Sequence, residues 1–150
     1  MRKGLLLFAS VIFTSLAFAQ IKNPVQWSYS SKKIDATTYE VHLTAALDNG
    51  WHMYSQTTPD GGPVATVISF AKNPLVTIDG SAKEVGKLEQ RHEDLFGVDV
   101  KQFSTRVDFV QVVKLKGKAK TSLNGTVEYM TCNDHECLPP TTQKFSLALK

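Results

Sequence analysis

The stretch Tyr39-Glu40-Val41-His42-Leu43-Thr44-Ala45-Ala46-Leu47 decides the fold class. Tyr39, Val41, Leu43, Ala45 and Leu47 recur at every second position, with Glu40, His42 and Thr44 between them, the period of a strand with one buried face. Working outward, the same alternation returns in Val64, Thr66, Ile68 and Phe70, then in Phe103, Thr105, Val107 and Phe109. It returns again in Val127, Tyr129 and Thr131, and last in Phe145, Leu147 and Leu149. Breakers stand between the runs: Asp48-Asn49-Gly50, Pro59-Asp60-Gly61-Gly62-Pro63, Asn73-Pro74, Asp79-Gly80 and Asn124-Gly125. The last pair fits either a two-residue hairpin turn or the entry to a strand over Thr126–Thr131. Only Ser81–Gln90 approaches a helical stripe, and Gly86 weakens it. Many short strands with frequent turns predict an all-β chain, an antiparallel, immunoglobulin-like β-sandwich. Lys114, Lys116, Lys118 and Lys120 alternate around Gly117 and read as a solvated strand face or a guarded edge.

The amino terminus has a different character. Met1-Arg2-Lys3 is a basic start, Gly4–Phe18 is an almost uncharged apolar run, and Ala17-Phe18-Ala19 supplies the small–any–small pattern of a cleavage site. Residues 1–19 are therefore expected to be a cleavable signal peptide that exports the chain to the periplasm, leaving residues 20–150 as one domain. The run is shorter than the ~20 residues a membrane-spanning helix needs, and no later segment approaches that length. At 150 residues, with 42% apolar and 21% charged residues, the composition is that of an ordinary globular domain. Without Arg2 and Lys3, 15 basic side chains face 14 acidic ones. So slight an imbalance gives no electrostatic case for nucleic acid or an anionic membrane as partner.

Export permits disulfides, and both cysteines sit five positions apart in Met130-Thr131-Cys132-Asn133-Asp134-His135-Glu136-Cys137-Leu138-Pro139-Pro140. A strand arrives, four polar residues turn, and Pro139 biases Leu138 toward an extended exit. Three readings of the pair stay open. The first is a structural disulfide in a non-enzymatic binding domain. A six-residue loop gives only ~2 kcal/mol of chain-entropy stabilisation, against ~4.7 kcal/mol for a hundred-residue loop. The second is a soft-metal site, in which Cys132, His135, Cys137 and Met130 would suit Cu(I), although three ligands at this spacing do not make a closed zinc site. The third is redox exchange, which needs one accessible sulfur to form a mixed disulfide and a neighbour to resolve it. Asp134 and Glu136 beside the thiols disfavour thiolate, and a protonated His135 opposes them. Such a pair resists casual oxidation and reacts when a partner reshapes its surroundings.

Val127-Glu128-Tyr129-Met130-Thr131-Cys132, with Asp134 and Cys137-Leu138-Pro139-Pro140, resembles the amino-terminal domain of the thiol:disulfide interchange protein DsbD family. The resemblance is densest over Thr126–Lys150 and extends more weakly back to Val25. Gly50-Trp51-His52-Met53-Tyr54 is similar to the family's aromatic segment, and Glu93-Asp94-Leu95-Phe96-Gly97 to its cap loop. The resemblance implies an immunoglobulin-like periplasmic domain without a bound cofactor or metal. Its implied task is to accept electrons from a membrane transducer and to reduce thioredoxin-like oxidoreductases. By position, Cys137 is the attacking sulfur and Cys132 the resolving one. Glu93 and Asp94 border the thiols, Leu95 or Phe96 covers them, and Tyr54 lines the pocket. Four residues separate the cysteines here where the best-known members have five. Those members also carry a fused membrane section, so a chain ending at Lys150 is expected to meet its transducer in trans. His42, His52 and His92 read as scattered strand or surface histidines and receive no role.

Overall fold

The computed structural model describes residues 22–150, and the expected signal peptide lies outside the described residues. Eleven strands follow one another: β1 (Val25–Lys33), β2 (Thr38–Leu47), β3 (His52–Tyr54), β4 (Val67–Phe70), β5 (Val76–Gly86), β6 (Glu89–Glu93), β7 (Val98–Phe103), β8 (Arg106–Leu115), β9 (Thr121–Tyr129), β10 (Thr131–Cys132) and β11 (Thr141–Leu149). Among the described residues there is no helix. The strands form three antiparallel sheets, in the orders β1-β2-β8-β5, β11-β9-β4 and β10-β3-β7-β6. The all-β, immunoglobulin-like sandwich expected from the alternation is the fold.

The first two sheets enclose the main core. Tyr39, Val41, Leu43 and Ala45 of β2 lie beside Val107, Phe109 and Val113 of β8, and they close on Leu123, Val127, Phe145 and Leu149 of the opposite sheet. Trp27 of β1 bridges the layers, stacking on Phe109 and meeting the Tyr129 ring edge-on at 5.4 Å. The third sheet lies at one end. Met53 of β3 and Phe103 of β7 turn into the main core, while Tyr54, Val100 and Cys132 form a second, smaller cluster on its other face. That second face carries the site.

Three local readings need correction. The run from Phe103 to Phe109 is two strands in different sheets, because the chain bends at Ser104-Thr105 and the Thr105 carbonyl takes the Leu47 amide. The run from Val64 begins as strand only at Val67, since Thr66 uses its hydroxyl on the Tyr54 carbonyl at 2.5 Å. In keeping with its weak stripe, Ser81–Gln90 contains no helix and is the end of β5 and the start of β6. The ladder slips at a bulge between Asp79 and Lys83, where Gln111 Nε2 donates to the Asp79 and Val112 carbonyls. Asn124-Gly125 is neither turn nor strand entry but the middle of β9, opposite Ser146 and Phe145. A Cβ on Gly125 would fall against the Ser69 carbonyl oxygen and 2.5 Å from Phe145 Cζ, so glycine serves close approach here rather than a turn.

Candidate functional site

The cysteine loop is a small hairpin grafted on the end of the third sheet. Cys132 closes β10, where it pairs across to His52 of β3. The chain then reverses on Asn133, whose Oδ1 accepts the His135 and Glu136 amides at 2.8 and 2.9 Å, while its own amide donates to the Glu136 carbonyl at 2.9 Å. This side-chain-capped turn is the kind asparagine favours. It returns Cys137 directly opposite Cys132, and the Leu138 amide continues the pairing onto the Thr131 carbonyl. The Cα atoms are 4.0 Å apart and the sulfurs form a disulfide. Its two ends differ: Cys132 is fully buried and Cys137 only partly so. Cys132 packs with buried Tyr54 and Val100, and half-buried Phe96, Val98, Met130 and Cys137 pack against that cluster.

Behind the disulfide lies a buried polar group. Glu93, the last residue of β6, is 7% exposed. Its carboxylate Oε2 accepts the Tyr54 hydroxyl at 3.0 Å and stands 3.2 Å from His52 Nε2, and the His52 and Tyr54 rings meet edge-on at 5.4 Å. Burial pushes the Tyr54 hydroxyl pKa strongly upward, and the charge and hydrogen bond of Glu93 push it further. Burial holds the His52 imidazole below its ordinary value, a pull that the Glu93 charge only partly offsets. The backbone of Glu93 also shapes the next turn, since its carbonyl accepts the Phe96 and Gly97 amides at 3.1 and 2.8 Å. That turn sends Phe96 inward to the disulfide cluster and leaves Asp94 and Leu95 outside, Leu95 at 54% exposure. Of the two candidate covering residues, Phe96 is the one packed beside the cysteines.

Asp134 and Glu136 each face a cation from another element. Arg91 of β6 lies 3.8 Å from Asp134, and Lys22 pairs with Glu136. His135 is exposed at the loop tip. Among the described residues, no three His, Cys, Asp or Glu side chains gather in a metal-binding arrangement, and Met130 Sδ accepts the Val64 amide at 3.5 Å.

The structure thus brings Cys132, Cys137, Tyr54, Glu93 and Phe96 together, and leaves Asp94, Leu95, Asp134 and His135 at the surface. His52, read from sequence as a scattered histidine, is instead buried behind the disulfide at 4% exposure. A signal for it was present: in a strand over His52-Met53-Tyr54 the first and third side chains share a face. Asn133, Arg91 and Lys22 were also missed. Asn133 was masked by the charges around it, and the other two meet the loop only through tertiary pairing.

The sequence matches the family described as thiol:disulfide interchange protein DsbD, N-terminal, over residues 20–149. No curated protein matches the chain. Among solved structures, the N-terminal periplasmic domain of ScsB from Proteus mirabilis aligns with a TM-score of 0.55 at 19% identity. The alignment covers 85% of this chain and 47% of that one, so the chain spans about half the length of the ScsB domain. The reduced DsbD N-terminal domain of Neisseria meningitidis aligns at 0.49 and 16% identity, covering 74% of this chain and 83% of that one. A complex of the Neisseria meningitidis DsbD and PilB N-terminal domains gives 0.49 and 15%, with 80% of each chain covered. No helix among the described residues is long and apolar enough to cross a membrane. With a match that runs through the whole sandwich and includes the cysteine hairpin, the chain belongs to the DsbD N-terminal domain family of thiol:disulfide interchange proteins.

Proposed function

We propose that this domain is a periplasmic thiol–disulfide exchange module that reduces disulfides of thioredoxin-like partner proteins through Cys132 and Cys137. In the dithiol form the Cys137 thiolate attacks the partner's disulfide, forming an intermolecular S–S bond and expelling one partner sulfur as thiolate. The Cys132 thiolate then attacks Cys137 Sγ. The intermolecular bond breaks, the partner leaves with both sulfurs reduced, and the Cys132–Cys137 disulfide remains. Two electrons have passed to the partner. A membrane reductase, met through its own thioredoxin-like domain, restores them by the reverse sequence. Export by the segment 1–19 and cleavage after Ala19 belong to the same reading.

The observation that carries the reading is the unequal burial of the two sulfurs. Cys137 is only partly buried and is the end of the pair nearer to solvent, whereas Cys132 is 0% exposed within the cluster. A resolving thiol needs to reach only its neighbour, and burial protects it from other reagents. Phe96 beside the pair supplies the cover that a partner displaces, and Tyr54 with Glu93 forms the floor.

The test is trapping in the periplasm. Cys132→Ser leaves an attacking thiol that cannot be resolved and should accumulate defined mixed disulfides, whereas Cys137→Ser should accumulate none. Absence of trapped protein from both variants rejects exchange and leaves a structural disulfide. Trapping by C137S alone reverses the two roles.

A further inference from the structure

We infer that the loop Pro59–Val64 is a brace that holds the Phe96 turn closed over the disulfide, and that Gly62 is its positioning residue. The purpose of the closed turn rests on the exchange reading, but the brace itself rests on contacts. The loop follows β3 and is tied down before it starts. Glu84 of β5 accepts the Ser55 hydroxyl at 2.6 Å and the Gln56 amide at 2.7 Å, and Thr58 Oγ1 accepts the Lys101 amide of β7 at 3.0 Å. It is tied again at its end, where the Val64 amide meets Met130 Sδ, two residues before Cys132, and Thr66 closes onto Tyr54.

Between these ties the loop comes close to Phe96 of the cap turn and to Val98 just after it. A Cβ on Gly62 would stand 2.6 Å from Val98 Cγ2 and 3.8 Å from Phe96 Cβ. Val98 has little freedom to yield, being β-branched and packed on the Tyr54–Val100–Cys132 cluster. One loop therefore touches both walls of the site, the Phe96 turn on one side and Met130 on the other. A side chain at position 62 crowds Val98, which its cluster holds in place, so the strain is relieved when the adjoining Phe96 turn shifts away from the disulfide, and the balance moves toward the open form.

Reduction of the disulfide in the full chain by dithiothreitol reads the open fraction without any protein partner. The reagent is oxidised to its cyclic disulfide while Cys132 and Cys137 take up two electrons and two protons, and quenched alkylation follows the rate. Gly62→Ala should be reduced about tenfold faster than the natural protein, the size of effect one crowded methyl exerts on a two-position equilibrium. Val98→Ala removes the crowding Cγ2, so the double variant G62A/V98A should react more slowly than either single variant. A merely loosened fold adds the two losses instead. Glu84→Gln weakens the ties of the loop at a distance from the packed contact and should also raise the rate. An unchanged rate in folded G62A, or additive effects in the double variant, overturns the brace. If G62A does not fold, E84Q decides alone, and an unchanged rate there overturns it. Failure of partner trapping would remove the exchange reading while leaving these reduction rates to judge the brace.

Discussion

The Tyr54 hydroxyl donates to Glu93 Oε2 at 3.0 Å, joining the middle of the third sheet to the residue that opens the cap turn. The same oxygen faces His52 Nε2, so one carboxylate serves two buried rings and, through its own backbone carbonyl, the amides of Phe96 and Gly97. Glu93 thereby couples the floor of the cysteine site to its cover.

Removing that shared acceptor should be expensive. Glu93→Ala removes the acceptor that both rings share and leaves Tyr54 Oη and His52 Nε2, 3.1 Å apart, with only each other, at a cost of about 1–3 kcal/mol. For a domain of this size, a drop of about 5–10 °C in melting temperature is expected. Glu93→Gln keeps an acceptor oxygen and should lose less. Equal melting temperatures for E93A and the natural protein would show that the carboxylate is not engaged as described.

His52 gives the fold a pH dependence of defined sign. Burial holds its imidazole below the ordinary value of 6.5, against the opposing charges of Glu93 and Asp134 and with the help of Arg91. The folded state therefore binds fewer protons at this site than the unfolded chain. The contribution is present in full above pH 6.5 and declines as pH falls below it. Unfolding midpoints between pH 7.5 and 5, compared with those of His52→Gln over this roughly chosen window, isolate the effect. The natural protein should lose stability more steeply than H52Q on acidification, and parallel curves would refute the assignment.

The two thiols should differ in reactivity even in isolation. In C132S the remaining Cys137 lies at the rim, whereas in C137S the remaining Cys132 is buried and reacts only after local opening. An opening cost of about 1.4 kcal/mol already gives a tenfold ratio. Iodoacetamide should label C132S about tenfold or more faster than C137S. Comparable rates would remove the burial asymmetry on which the division of roles depends.

The strands of the main sandwich were legible because their inward residues recur at every second position, as Tyr39, Val41, Leu43 and Ala45 do. The bend at Ser104-Thr105 was not, since a chain that changes sheet there keeps its alternation on both sides. Of the site, the paired cysteines, Tyr54 and the cap segment were readable as motifs. The inward and outward members of that segment were not, because the Glu93 carbonyl and its two amide partners decide them. His52 escaped notice for a related reason: the carboxylate it faces, Glu93, lies 41 positions away.

Asn124-Gly125 shows how a local rule yields to a tertiary contact, and its variants can separate the two. Gly125 lies in β9 between Ser69 of β4 and Phe145 of β11, and an added Cβ meets a backbone carbonyl on one side and an aromatic ring on the other. The ring can tilt, but the carbonyl is held by the sheet, so Gly125→Ala should destabilise by about 1–3 kcal/mol as an overpacked site. Asn124 is exposed, and its backbone pairs with Ser146 across the sheet while its carbonyl accepts the Ala71 amide at 2.8 Å. Asn124→Ala should therefore stay within about 0.5 kcal/mol of the natural protein. Urea unfolding midpoints for the two variants give the answer. A large loss for both would mean that the pair forms the left-handed turn its sequence favours. A loss confined to G125A means that β9 runs straight through it and brings β4 and β11 into register beside the strand that leads to Cys132.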